Sequence, residues 1–208
     1  WQKNGFPVFA SGSPYEIDCF TTSSGKEVRF HALLHASIWI EYDGKDIYID
    51  PVRKLRDRSV DYSILSNADY IFVTHEHGDH FDQGLLDVMT AGSDGASLVT
   101  NARCAGMLGY GQAISNGDSA KIAGDIEVEA VPAYNTTEGR TQFHPKGRDN
   151  GYILTLDGLR IYIAGDTEDI PEMDGIKDID IAFLPCNQPY TMTTSQLIGA
   201  VRRLSPGV

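Results

Sequence analysis

The densest chemistry in the chain is the run His75-Glu76-His77-Gly78-Asp79-His80, placed directly after an apolar stretch from Tyr70 to Thr74. The chain has six histidines, and this run holds three of them. Alternate residues of an extended segment point to the same side, so His75 and His77 can reach one ion. A turn at Gly78 redirects Asp79 and His80 towards a second. Neutral imidazole and carboxylate suit zinc, iron or manganese. The plainer alternative is a set of surface histidines that cap a helix.

Two cations a few ångströms apart repel one another, and a carboxylate that bridges them offsets the repulsion. Asp166 is the candidate, because it follows an apolar segment (Arg160 to Ala164) through Gly165, where the backbone can approach closely. Its alternative role is that of a turn or N-cap residue before Thr167 and Glu168. Arg140, Lys146 and Arg148 surround His144. They either hold a phosphate or carboxylate of a substrate or belong to a solvated loop. His31 reads as structural or exposed.

These groups need strand ends to position them. Short β-branched and aromatic runs, bounded by Gly, Asp, Asn and Pro, predict strands near Val28–Leu33, Ser37–Tyr42, Asp46–Ile49, Tyr70–Thr74 and Leu98–Thr100. A second set follows near Ile126–Pro132, Tyr152–Leu156, Arg160–Ala164 and Ile181–Leu184. Asp43-Gly44 and Asp157-Gly158 mark two hairpins. Helices are expected over Gln83–Met89 and Thr194–Leu204, with a short turn near Tyr62–Leu65. Asp43 to Asp50 echoes Asp157 to Asp166, and each stretch precedes another apolar strand. That echo is either a duplication that yields two β-rich layers with loops along one edge, or a chance likeness of hairpins.

Composition narrows the partners. The chain has 208 residues, 41% hydrophobic and 22% charged, enough for a sizeable core. Its net charge of −12 repels polyanions, so nucleic acid is a disfavoured partner and a small molecule is expected. Cys19, Cys104 and Cys186 form no CxxC pair, which argues against a disulfide framework or thiolate zinc site and leans to the cytoplasm. No apolar run reaches the ~20 residues of a transmembrane helix. Trp1 to Pro14 reads as a processed or flexible leader, which leaves export after signal cleavage as the alternative. Residues 1–27 are expected to hold this leader and the first strands, and residues 28–208 one domain. The helix ending at Leu204 should lead into a further strand that the sequence does not supply. Oligomeric state is not legible.

Taken together, these motifs resemble those of the metallo-β-lactamase-fold hydrolases, in the branch of ascorbate-6-phosphate lactonase-like and N-acyl-phosphatidylethanolamine phospholipase D-like proteins. The likeness rests on His75-Glu76-His77-Gly78-Asp79-His80 and Gly165-Asp166-Thr167, and runs from about Val28 to Leu204. His35-Ala36-Ser37, Ile49-Asp50-Pro51, Val131-Pro132-Ala133, Gly151-Tyr152-Ile153 and Tyr190-Thr191-Met192-Thr193 support it. The resemblance implies an α/β, four-layer αββα sandwich of two β-rich halves flanked by helices. It implies two divalent ions, zinc first with manganese or iron as alternatives. His75 and His77 would hold the first ion, Asp79 and His80 the second, and Asp166 would bridge.

The family usually supplies another His soon after the strand ending near Pro132, and here that place holds Asn135. His144 is the nearest replacement. A last metal His normally follows the C-terminal helix, beyond Val208. His35 would sit near the metal edge or serve as a hydrogen-bonded core residue. Asp50 would orient a ligand imidazole. Asn135 and Arg140 would lie beside the ligands or the substrate. The implied chemistry is attack by a metal-bridged hydroxide on a small ester, lactone, amide or phosphodiester, with Asp79 handling the proton. A phosphodiesterase or ribonuclease and a catalytically silent metal-stabilised binding protein are the alternatives.

Overall fold

Alternating burial and tight turns shape the first part of the chain. A computed structural model describes residues 16–208, and the leader expected over Trp1–Pro14 lies outside them. Strands β1 (Glu16–Thr21), β2 (Glu27–Leu34), β3 (Ser37–Tyr42) and β4 (Lys45–Ile49) form an antiparallel meander. In β2, Val28 and Phe30 are buried whereas Glu27 and Arg29 are exposed, the period of a half-buried strand. Asp43 and Gly44 take φ of 49° and 73°, the left-handed pair that a two-residue turn between β3 and β4 requires.

After β4 the connections become parallel crossovers. A small hairpin, β5 (Lys54–Leu55) with β6 (Arg58–Ser59), and a 3-10 turn at Tyr62–Ile64 lead to β7 (Tyr70–Val73). Helix α1 (Gln83–Met89) starts at Asp82, whose side chain accepts from Leu85 N, and precedes β8 (Ser97–Thr100). Helix α2 (Ala102–Leu108) starts at Asn101, which caps Cys104 N, and precedes β9 (Gln112–Ala113). The sheet has the order β1-β2-β3-β4-β7-β8-β9, parallel from β4 onwards. Trp39, Tyr48, Ile71, Val73 and Leu98 pack with Leu86 and Cys104 as the core of this compact unit, which ends at Ala113.

Ile114–Val208 form a second compact unit with its own sheet. Strands β10 (Ser119–Ala123), β11 (Ile126–Ala133), β12 (Asp149–Leu156) and β13 (Leu159–Ile163) are antiparallel, and β14 (Ile181–Phe183) joins β13 in parallel. Helix α3 (Thr194–Leu204) opens with a capping box between Thr193 and Gln196. Its Ala200 and Leu204 pack with Met173 of the 3-10 turn Pro171–Gly175 and with Tyr162 and Ile170.

The echo in the sequence is an echo of topology. In the first unit Asp50 N donates to Phe72 O, and Asp46 N to the Asp69 carboxylate at 2.9 Å. In the second, Ala164 N donates to Phe183 O, and Arg160 N to the Asp180 carboxylate at 2.9 Å. Each Asp-Gly hairpin is thus followed by a parallel strand tied on by the same bonds. By this register Asp50 corresponds to Ala164, so the two acids that close the echoing stretches are not equivalent: Asp166 lies beyond, past Gly165. The fold is α/β, with β-rich sheets and few helices. Among the described residues no helix is long and apolar enough to cross a membrane.

Candidate metal centre

The carboxyl ends of the parallel strands β4 and β7 place Asp50 beside Thr74. Asp50 is 1% exposed and takes a left-handed backbone, φ 43°, with its carbonyl held by Ser37 Oγ at 2.6 Å. Its carboxylate accepts from Thr74 N at 2.7 Å and from Thr74 Oγ1 at 2.7 Å. The same carboxylate accepts from His80 Nδ1 at 2.7 Å. Because the Thr74 hydroxyl donates to Asp50, its oxygen is left to accept from His75 Nδ1, 3.0 Å away. Both imidazoles therefore carry the proton on Nδ1 and present Nε2, the arrangement that prepares a histidine for a metal.

His75 Nε2 and His77 Nδ1 lie 3.1 Å apart. The turn that redirects the chain is closed by His77 O, which accepts from His80 N at 2.8 Å and Phe81 N at 2.9 Å. Gly78 lies in this turn without a left-handed backbone, whereas His35 and Asp50 take φ of 53° and 43°. His35 sits in the turn between β2 and β3, and its Nε2 lies 3.2 Å from Asp79 Oδ2. One ligand atom each from His35, Asp79 and His80 lie within 4.8 Å of one another. The His35 hydrogen bond holds the Asp79 carboxyl well below the usual carboxylate range, against the opposing effect of burial.

In the second unit Asp166 follows β13 through Gly165, which has φ 61°. No helix starts there; the next helical turn begins at Pro171, with Ile170 as its N-cap. Asp166 is 7% exposed, and its Oδ2 lies 3.4 Å from Nε2 of the buried His144. His144 Nδ1 lies 3.3 Å from Asn135 Oδ1, and Asn135 N donates to His144 O at 2.9 Å. The structure thus brings Asn135, His144 and Asp166 together, although Thr136–Phe143 intervene between the first two.

Four further residues singled out in the sequence take other places. Arg148 grips Asp149 with two bonds of 2.7 and 2.9 Å, and Lys146 bonds Glu172 at 2.6 Å, so both cations are engaged within the protein. Arg140 Nη1 stands 3.6 Å from Glu168 Oε1. His31 is buried, stacked on Trp39 at 4.0 Å.

Glu168 was not singled out by the sequence, although it directly follows Asp166-Thr167. It is 0% exposed, and its Oε2 accepts from Thr136 N, Thr137 N and Thr136 Oγ1 at 2.8, 2.7 and 2.9 Å. It pins the start of the segment that carries His144. Burial alone would raise its pKa; bonds from Thr137 and Thr136 outweigh burial and hold the carboxyl below its ordinary value. A depressed carboxyl stabilises the fold above the unfolded-state pKa of about 4.3, and that contribution disappears as pH falls through the lower folded-state value. Glu168→Gln should therefore cost about 1–3 kcal/mol at neutral pH and show a shallower acid loss of stability than the wild type. Urea melts across the acid range check this, and equal slopes would refute it.

A strand-edge array of imidazoles with fixed tautomers and nearby carboxylates, on an α/β scaffold of β-rich sheets, defines a metallohydrolase of the metallo-β-lactamase type. The family model described as a beta-lactamase superfamily domain matches residues 29–208. The chain belongs to this superfamily and is a metal-dependent hydrolase. A relative described as a UPF0173 metal-dependent hydrolase, from Ligilactobacillus salivarius, is 34% identical over 166 residues, covering 76% of this chain and 72% of its own. One of the same description from Pyrococcus furiosus is 33% identical, covering 86% and 81%. A crystal structure from Parabacteroides distasonis shares 50% identity with a TM-score of 0.86, covering 92% of this chain and 84% of that one. Igni18, a metallo hydrolase from Ignicoccus hospitalis, shares 28% identity with a TM-score of 0.71, covering 86% and 79%.

Proposed function

We propose that the chain hydrolyses a small ester, lactone, amide or phosphodiester with two divalent cations, zinc foremost. The ligands in this reading are those that the family resemblance implies: His75, His77, Asp79, His80, His144 and Asp166. The observation that carries it is the Asp50–Thr74 network, which turns Nδ1 of His75 and His80 to protein acceptors and so fixes Nε2 as the ring nitrogen that would serve a metal. Imidazole nitrogen and carboxylate oxygen fit a borderline cation such as zinc, and nothing in this donor set favours a soft thiophilic one.

When bound, such a pair of ions supplies Lewis acidity and brings the pKa of water towards neutrality. The chain contributes orientation and proton handling. Asp50 fixes His80, and Thr74 relays the same constraint to His75. His35 holds the Asp79 carboxylate ionised and aimed. On this reading Asp79 is the catalytic residue that takes the proton released as water attacks, and passes it on to the leaving group.

Metal analysis of the purified chain, joined to a panel of chromogenic esters, lactones and phosphodiesters with and without chelator, tests the proposal. The expected result is turnover of at least one class that chelator abolishes and zinc or manganese restores. Metal-replete protein that turns over none of them would favour a silent binding protein. Turnover indifferent to chelator would remove the metal mechanism.

A further inference from the structure

We infer that Asn135 sets the tautomer of His144, so that a residue standing where the family resemblance expects a ligand acts instead by aiming one supplied by His144. This rests on the reading of His144 as a metal ligand.

The inference follows from counting donors and acceptors around one buried carboxamide. Asn135 is 2% exposed, and its amide nitrogen donates to Tyr190 O at 2.7 Å and to Arg140 O at 3.3 Å. Carbonyl oxygens only accept, so the NH2 group must occupy that side and the amide oxygen must face the other way. The atom on that other side is His144 Nδ1, at 3.3 Å. An amide oxygen also only accepts, so Nδ1 must carry the proton, and in the neutral ring Nε2 is a bare lone pair. The backbone bond from Asn135 N to His144 O, at 2.9 Å, keeps the two residues in step.

Nε2 is thereby turned to Asp166 Oδ2, 3.4 Å away, with the two side chains 1% and 9% exposed. A ring nitrogen and a carboxylate that converge in a buried place form a donor pair of the kind a divalent cation takes. The same result is open to few other residues at position 135. Leucine offers His144 no acceptor, and aspartate would set an oxygen against the carbonyls of Tyr190 and Arg140. Asparagine supplies one acceptor on one side and two donors on the other. Asn135 is therefore a positioning residue.

Two measurements on the full-length chain test this. Long-range proton–nitrogen NMR of histidine-labelled protein, at a pH above the usual imidazole range, reports which ring nitrogen holds the proton; His144→Gln assigns the signal. His144 should show a protonated Nδ1 in the metal-free protein and retain it when zinc is added. A proton on Nε2 in the metal-free protein would overturn the inference without any variant having to fold.

Zinc affinity, read by competition with a chromophoric chelator, supplies a double-mutant cycle. Asn135→Leu should weaken one zinc by about 10- to 100-fold. His144→Ala should weaken the same zinc at least as much, and the double variant should be no weaker than His144→Ala alone. If Asn135→Leu costs the same factor in the His144→Ala background, Asn135 acts on the fold at large and the inference fails. If His144→Ala leaves zinc affinity unchanged, His144 is not a ligand: that part of the proposed function falls, and the positioning role falls with it, even where the NMR finds the proton on Nδ1.

Discussion

Asp79→Ala should lower kcat/KM by at least about 10³, near 4 kcal/mol of transition-state stabilisation, while leaving the fold nearly as stable as the wild type. The two halves of that expectation come from different features. The Asp79 side chain is 32% exposed and its contact with His35 spans 3.2 Å, so its removal opens no cavity and should cost no more than about 1 kcal/mol. In the proposed mechanism, however, the same carboxylate both binds an ion and carries the proton. Asp79→Asn keeps the shape and loses the charge, and should be nearly as inactive. His35→Ala acts only through Asp79 and should cost about 10- to 100-fold. Steady-state kinetics on any substrate found by the panel, with a urea melt of each variant, check the set. An Asp79→Ala protein within tenfold of wild-type activity would exclude Asp79 as the catalytic acid–base group.

Asp50→Ala should do the reverse, damaging the fold before the chemistry. The substitution strands Thr74 N, Thr74 Oγ1 and His80 Nδ1, all donors to one buried carboxylate. It also asks alanine to hold φ 43°, which aspartate and asparagine tolerate better. Breaking a buried, hydrogen-bonded charge of this kind costs about 3–5 kcal/mol, a large part of the 5–15 kcal/mol that ordinarily holds a domain together. Asp50→Asn keeps the backbone preference and one acceptor oxygen, so it should cost about 1–3 kcal/mol. Denaturation of metal-free protein separates the two. Should Asp50→Ala melt within 1 kcal/mol of wild type, the network does not carry the stability assigned to it here.

Much of the scaffold is readable in the chain because its signals are local. Asp43-Gly44 and Asp157-Gly158 mark their hairpins because left-handed backbone is needed there and few residues accept it. Gln83–Met89 and Thr194–Leu204 carry both an apolar face and a capping residue, and both are helices over those residues. By contrast β10 alternates weakly, as Ser119-Ala120-Lys121-Ile122-Ala123, and is held as a strand by pairing with β11. Helix α2 contains Gly106 and only one fully buried residue, Cys104, so its periodicity is faint; its Asn101 cap was the signal available.

The chemical inventory of the candidate site was set by the sequence alone: three histidines and an aspartate within one short run, and an aspartate after Gly165. Residue type and close spacing are enough to name metal-binding chemistry. Which nitrogen each imidazole offers was decided only by tertiary structure, because a tautomer depends on the partner of the opposite ring atom. Those partners come from afar in the chain: Asp50 for His80, and Tyr190 acting through Asn135 for His144. Folding brings them together through parallel strand pairing and backbone hydrogen bonds, which no local pattern of side chains encodes.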